Sequence, residues 1–200
     1  NTLRLNSRNC IAIRSPMSKK NNRSLSKDKA KKLPIERFWE TKTLDEMTRP
    51  EWESLCDGCA KCCLHKFIDD ESTTDETELM PTTHIAEGEQ MNYSSIACHL
   101  LNDKSCQCSK YEQRTVLVPD CVQLTQENLD DVFFMPPSCT YRRLKEGRGM
   151  PSWHPLLHNG KKSAMHQAGM SVRGKIIKDD DVELEDFEDY IVLWPLHDVD

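Results

Sequence analysis

Four cysteines fall within eight residues, Cys56-Asp57-Gly58-Cys59-Ala60-Lys61-Cys62-Cys63, with His65 just beyond. A C-x2-C-x2-C-C run brings its sulfurs within reach of one point in space, which is the arrangement that thiolate-binding metals such as zinc or iron require. A disulfide scaffold is the other reading, but neighbours such as Cys62 and Cys63 pair badly, because closing that ring strains the peptide and the disulfide torsion. Gly58, between the first two cysteines, permits the positive-φ backbone that tight ligand loops need. The stretch is therefore read as a metal-binding loop.

The rest of the chain offers little to fold around without such a loop. Leu, Ile, Val and Phe make up 41 of 200 residues, which is at the edge below which chains with high net charge tend not to fold unaided. Sulfur ligation is one of the few devices that offsets so thin a core, so metal binding and folding are expected to be coupled. Charge is split along the chain. Residues 1–33 carry a net +9 and residues 34–200 a net −15. A basic arm that stays disordered is expected ahead of an acidic metal-binding body, with residues 1–16 read as translated upstream sequence because Met17-Ser18-Lys19-Lys20 resembles a bacterial start. An organellar transit peptide is the rival reading of the arm, but its apolar residues show little helical periodicity. An acidic body argues against nucleic-acid binding by the folded part, since phosphate contacts supply most of that affinity. No apolar run approaches the ~20 residues of a membrane span, and no secretory leader is visible, so a reducing compartment, the cytoplasm, is expected.

Five further cysteines follow the first group in the body: Cys98, with His99 beside it, then Cys106, Cys108, Cys121 and Cys139. Nine body cysteines exceed one four-ligand site, so either two sites exist or one site holds a cluster and the remainder are structural. Cys10 lies in the arm and is not counted among the ligands. Between the two groups, residues 69–90 hold eight acids and no Lys or Arg, which reads as a solvated loop with His84 as an ordinary loop histidine. Around the cysteines the signals are helical. Ile35, Phe38 and Trp39 share a face, Thr48-Arg49-Pro50-Glu51 is a capping box leading to Trp52 and Leu55, Thr125 precedes Leu129, Val132 and Phe133, and Tyr141–Glu146 is stopped by Gly147. The cysteine-free last third offers Trp153-His154-Pro155, where His154 is a candidate ligand or hydrogen-bonding support for one. It also suggests a strand over 171–177, a turn at Asp179–Asp181 and a closing helix through Leu184, Phe187 and Ile191. The expected fold is a small α+β domain, mainly helical with little strand, stapled by cysteine-ligated metal.

The motifs carry a resemblance. Phe38-Trp39 with Lys42-Thr43-Leu44-Asp45-Glu46-Met47, Glu51-Trp52-Glu53-Ser54-Leu55-Cys56-Asp57-Gly58-Cys59, Cys62-Cys63-Leu64-His65-Lys66, Cys106-Gln107-Cys108, Tyr111-Glu112, Pro119-Asp120-Cys121, Trp153-His154-Pro155-Leu156-Leu157 and Ser171-Val172-Arg173 resemble the YcgN family of bacterial proteins. That family lies within a wider YkgJ-type group of zinc- or iron-chelating domains. The resemblance runs from about residue 38 to the end of the chain. It implies that Cys56, Cys59, Cys62, Cys63, Cys98, Cys108, Cys121 and Cys139 are metal ligands, and it makes Cys106 particular to the YcgN branch. Beside it, Cys106, His65, His99 and His154 stand as candidate additional ligands or their supports. The acidic stretch before Cys98 is longer than the family's usual connection, and the basic arm has no counterpart.

No Gly-rich phosphate loop, nucleophile elbow or HExxH helix is present. The resemblance supplies no substrate and no protein partner. Zinc or iron is the implied metal partner, an iron–sulfur cluster included. The wider group is taken to include flagellin lysine methylases, so an iron–sulfur enzyme doing redox or methyl-transfer chemistry is one alternative role. A zinc-stapled protein-interaction module is the other.

Overall fold

The computed structural model describes residues 2–5, 10–11, 37–70, 90–129 and 134–200. Two stretches of the basic arm take strand backbone, β1 (Thr2–Leu5) and β2 (Cys10–Ile11). The remainder of the arm, Ile35, His84, Val132, Phe133 and all of the acidic stretch but its ends lie outside the described residues.

Short helices deliver the cysteine loop. In α1 (Phe38–Thr41) Trp39 is buried, with the Phe38 ring edge-on to it at 5.2 Å. The capping box works as its sequence requires: α2 (Arg49–Ser54) starts with Pro50 in its first turn, and the Glu51 carboxylate accepts from the Thr48 N–H and hydroxyl, each at 2.8 Å. Lys42 donates to the same carboxylate at 2.6 Å. That ammonium and the cap pull the Glu51 carboxyl down to about 2. Such a cap satisfies N–H groups that would otherwise lack partners, and here it fixes the helix whose end becomes Cys56.

Strands then organise the body. β3 (Leu64–Asp70) runs directly out of the cysteine loop and pairs antiparallel with β4 (Gln90–Ala97), while β1 lines the outer edge of β3. The register slips between Leu64 and Lys66, a bulge that centres on His65. Next come the small hairpin of β5 (Leu101–Asn102) and β6 (Gln107–Cys108), α3 (Arg114–Leu117), β7 (Cys121–Val122), which pairs parallel with β2, α4 (Thr140–Lys145) and α5 (Ser163–Gln167). The far edge of β4 is shared by two late strands. β8 (Ile177–Lys178) pairs parallel with Ile96–Ala97, and β9 (Ile191–Val192) pairs antiparallel with Tyr93–Ser94.

One core lies between this sheet and the helices, with Leu55, Leu64, Phe134, Met135, Tyr141 and Val172 all at most 1% exposed. Tyr141 donates to the Trp52 carbonyl at 2.8 Å and Tyr93 to that of Phe134 at 3.0 Å, so both buried phenols are satisfied. Phe67, Ile96 and Phe187 form a smaller cluster.

The domain is not mainly helical. No α-helix among the described residues exceeds six residues, and the sheet through β3 and β4 carries the architecture. The Thr48 cap is real, but residues 126–128 after Thr125 form a bend and turn rather than a helical turn, and helices as short as α2 are held by packing rather than propensity. The strand expected over 171–177 shrinks to Ile177–Lys178, because Lys175 N–H closes a turn on the Val172 carbonyl at 3.0 Å with Gly174 at φ +70°. The closing helix is a 3-10 run, Leu184–Tyr190, that buries Phe187, leaves Leu184 exposed and hands Ile191 to β9.

Candidate metal centre

Two left-handed residues shape the cysteine loop, Gly58 at φ +70° and Ala60 at φ +64°. Asp57 Oδ1 accepts the Cys59 N–H at 2.8 Å, an Asx-type turn that holds the first two cysteines in one bend. A 3-10 turn, Lys61–Cys63, then carries the last two cysteines into β3. The loop is tied to distant chain: the Val172 N–H donates to the Cys59 carbonyl and the Cys98 N–H to the Cys63 carbonyl, both at 3.1 Å. Gly58 is also approached from outside. A Cβ there would sit 2.1 Å from Lys162 Nζ, which lies 3.4 Å from the Gly58 carbonyl.

Nine cysteines have described side chains, and the structure shows no disulfide among them. Eight of them form one patch with two ends, joined through Cys62. Cys56, Cys62 and Cys139 surround Asp57 closely enough that Asp57 raises the pKa of each, and Cys59 joins them through Asp57 and Cys62. Cys63, Cys98, Cys108 and Cys121 line a small cavity of ≈ 10 Å³ together with Leu100, Leu101, Val118 and Arg114. Cys62 borders both ends, through its hydrogen bond with Cys63 and through Cys121, whose pKa it raises. Cys106 belongs to neither. It sits at φ +53° in the β5–β6 turn and faces Ser171 and Arg173.

Burial pushes the thiols up, Cys56 and Cys59 well above their ordinary range and Cys121 and Cys139 to about 12. For Cys62 the hydrogen bond with Cys63 is the largest cause, ahead of burial. Thiols in such surroundings stay protonated unless a cation balances the thiolates, and a thiophilic metal supplies that balance. The surroundings fit a metal in a second way. Asp57 Oδ2 is buried without a hydrogen-bond partner among the described residues, an arrangement that a positive charge beside it relieves.

Two buried lysines, not singled out in the sequence, brace the loop. Lys61 is fully buried and donates to Ser138 Oγ at 2.8 Å and to the Pro195 and His197 carbonyls at 3.3 Å, drawing the end of the chain over the loop. Lys66, also fully buried, donates to the Cys62 and Leu64 carbonyls at 2.9 and 2.8 Å. Nothing in the pattern of Lys61 and Lys66 distinguishes them from surface lysines, so only the packed loop reveals them.

The candidate histidines part company. His65 and His99 meet on one carboxylate, His65 Nε2 at 3.1 Å from Asp179 Oδ2 and His99 Nδ1 at 3.1 Å from Asp179 Oδ1. His154 is fully buried, and both of its ring nitrogens are used by the backbone. Nε2 lies 3.0 Å from the Leu55 carbonyl and Nδ1 accepts the Leu156 N–H at 3.1 Å, which assigns the neutral Nε2–H tautomer. It supports the residue before Cys56 rather than facing either thiol set.

Burial lowers the His154 pKa below its ordinary 6.5. The folded state therefore binds this proton less readily than the unfolded chain. The contribution is fully present above pH ~6.5 and is lost as pH falls toward the folded value. His154→Gln should cost about 1–3 kcal/mol at pH 7.5, from the unpaired Leu55 carbonyl and Leu156 N–H. The gap between wild type and variant should narrow by pH 5.5, as urea unfolding of the metal-loaded proteins will show.

Residues 55–140 match the CxxCxxCC family model, described as "Putative zinc- or iron-chelating domain", a span that holds all nine body cysteines. A UPF0260 protein of Shewanella denitrificans is 49% identical over 163 residues, covering 82% of this chain and 99% of the relative. A UPF0260 protein of Parvibaculum lavamentivorans is 51% identical over 161 residues, covering 80% and 94%, and one of Rhizobium etli is 46% identical over 159 residues, covering 80% and 90%. No solved structure matches the chain significantly.

Proposed function

The chain belongs to the family of UPF0260 proteins, and from that premise we propose that its body, residues 34–200, is a metal-binding domain with two sulfur sites. Cys56, Cys59, Cys62 and Cys139 hold one ion, and Cys63, Cys98, Cys108 and Cys121 the other. The basic arm of residues 1–33 is assigned no ligand, although its β2 pairs with β7 beside Cys121. The ions are zinc or iron, and their role is to hold loops and short elements in one fold, in the reducing cytoplasm that free thiols suit. The YcgN and YkgJ names belong to the same reading.

One observation supports it: four cysteines gather about Asp57 and four line one small cavity, with Cys62 joining the groups, and four is the number that a closed structural site uses. Among the described residues no helix is long and apolar enough to cross a membrane. Elemental analysis of protein purified without oxygen should find about two zinc or iron ions per chain and no acid-labile sulfide. Broad absorption near ~400 nm with stoichiometric sulfide would replace this reading with the iron–sulfur enzyme, and a metal-free folded protein would end both.

A further inference from the structure

We propose that Cys98, His99 and Asp179 form an outer site for one divalent transition-metal ion at the rim of the second thiol set. One ligand atom from each, a sulfur, an imidazole nitrogen and a carboxylate oxygen, lies within 4.8 Å of the others. Sulfur, nitrogen and oxygen together suit a borderline ion of the zinc, cobalt or ferrous class, whereas magnesium and calcium take oxygen alone.

The carboxylate is aimed before any ion arrives. Asp179 Oδ1 accepts the His99 N–H at 2.8 Å, and Oδ2 lies 3.1 Å from His65 Nε2. The His65 ring packs edge-on against Phe187 at 5.3 Å, and it stands at the β3 bulge, so its direction is set by the sheet. A histidine that fixes a liganding carboxylate is the usual outer support of a metal site, which makes His65 a positioning residue here. Lys178 brings a positive charge nearby, but its ammonium is engaged by the His99 and Leu101 carbonyls. The same bonds fasten β8 to the turn after β4 and hold Asp179 in place.

Access distinguishes this site from the thiol sets. The side chains of His99 and Asp179 are 42% and 18% exposed, while Cys98 is buried and also lines the inner cavity. An ion bound outside thus touches a sulfur of the inner set, the geometry of a loading position. The inference rests on the two-site reading only in that shared sulfur, so resident and added metal are counted separately.

The test adds Co2+ to the full, metal-loaded, reduced chain in equilibrium dialysis, with elemental analysis of every metal. Wild type should take up one Co2+ beyond its resident ions, with a sulfur-to-cobalt charge-transfer band in the difference spectrum. Asp179→Asn and the more exposed His99→Gln should each weaken that uptake at least about tenfold and leave resident metal unchanged. No added ion in wild type, or equal uptake by both variants, overturns the site. Loss of resident metal from the variants also overturns it, by making Asp179 and His99 part of the inner set. Absence of resident metal in wild type would instead count against the two-site reading.

Discussion

Stripping the metal from reduced protein should unfold the body: near-UV circular dichroism should collapse and the cooperative melt disappear, and both should return when zinc or ferrous ion is restored. The expectation follows from what each thiol set joins. One ties the loop after α2 to the residue before α4, and the other ties the start of β3 to the end of β4, to β6 and to β7. The elements themselves are too short to stand alone, none of the described α-helices passing six residues. A structural zinc site contributes roughly 10–16 kcal/mol of apparent folding free energy, as much as the ~5–15 kcal/mol net stability of a whole domain. Losing even one such ion should exceed what the remaining core supplies. A chelated, fully reduced sample that keeps its dichroism and melting temperature would refute the coupling.

Local chemistry was readable in the sequence wherever it depends on neighbours along the chain. The Thr48–Glu51 cap, the Gly147 stop after α4 and the bend at Gly58 all act within a few residues, and all three stand in the fold. What pairs at long range was not readable. β4 is Gln90-Met91-Asn92-Tyr93-Ser94-Ser95-Ile96-Ala97, polar enough to pass for loop, and it is a strand because β3 on one side and β8 and β9 on the other satisfy its backbone. The partition of the cysteines is of the same kind. Spacing shows that Cys62 and Cys63 adjoin, but only the 3-10 turn that carries them into β3 shows Cys63 lining the cavity while Cys62 sits between it and the Asp57 group. Asp179 gave no signal beyond a turn, since its partners His65 and His99 lie 114 and 80 residues away.

The pair Cys106-Gln107-Cys108 should split in function. In an extended strand residues two apart share one face, so a regular strand would send both sulfurs to one site. The backbone is not regular there: Cys106 sits at φ +53° with its N–H bonded to the Asn102 carbonyl at 2.8 Å, and this turn parts the two sulfurs. Cys108 stands in β6 and lines the cavity with Cys63, Cys98 and Cys121, whereas Cys106 looks away toward Ser171 and Arg173. A serine at position 108 puts a weak hard donor where a soft thiolate is required. Cys108→Ser should therefore lose about one ion per chain and, with it, the cooperative melt. Cys106→Ser swaps a buried sulfur near the Asp103 carbonyl, Ser171 and Arg173 for a hydroxyl that can hydrogen-bond the same groups, so it should cost no more than about 1–2 kcal/mol and keep its metal. Metal content and melting temperature of the two purified variants decide the matter. Equal losses from both would show that the pair serves one site together.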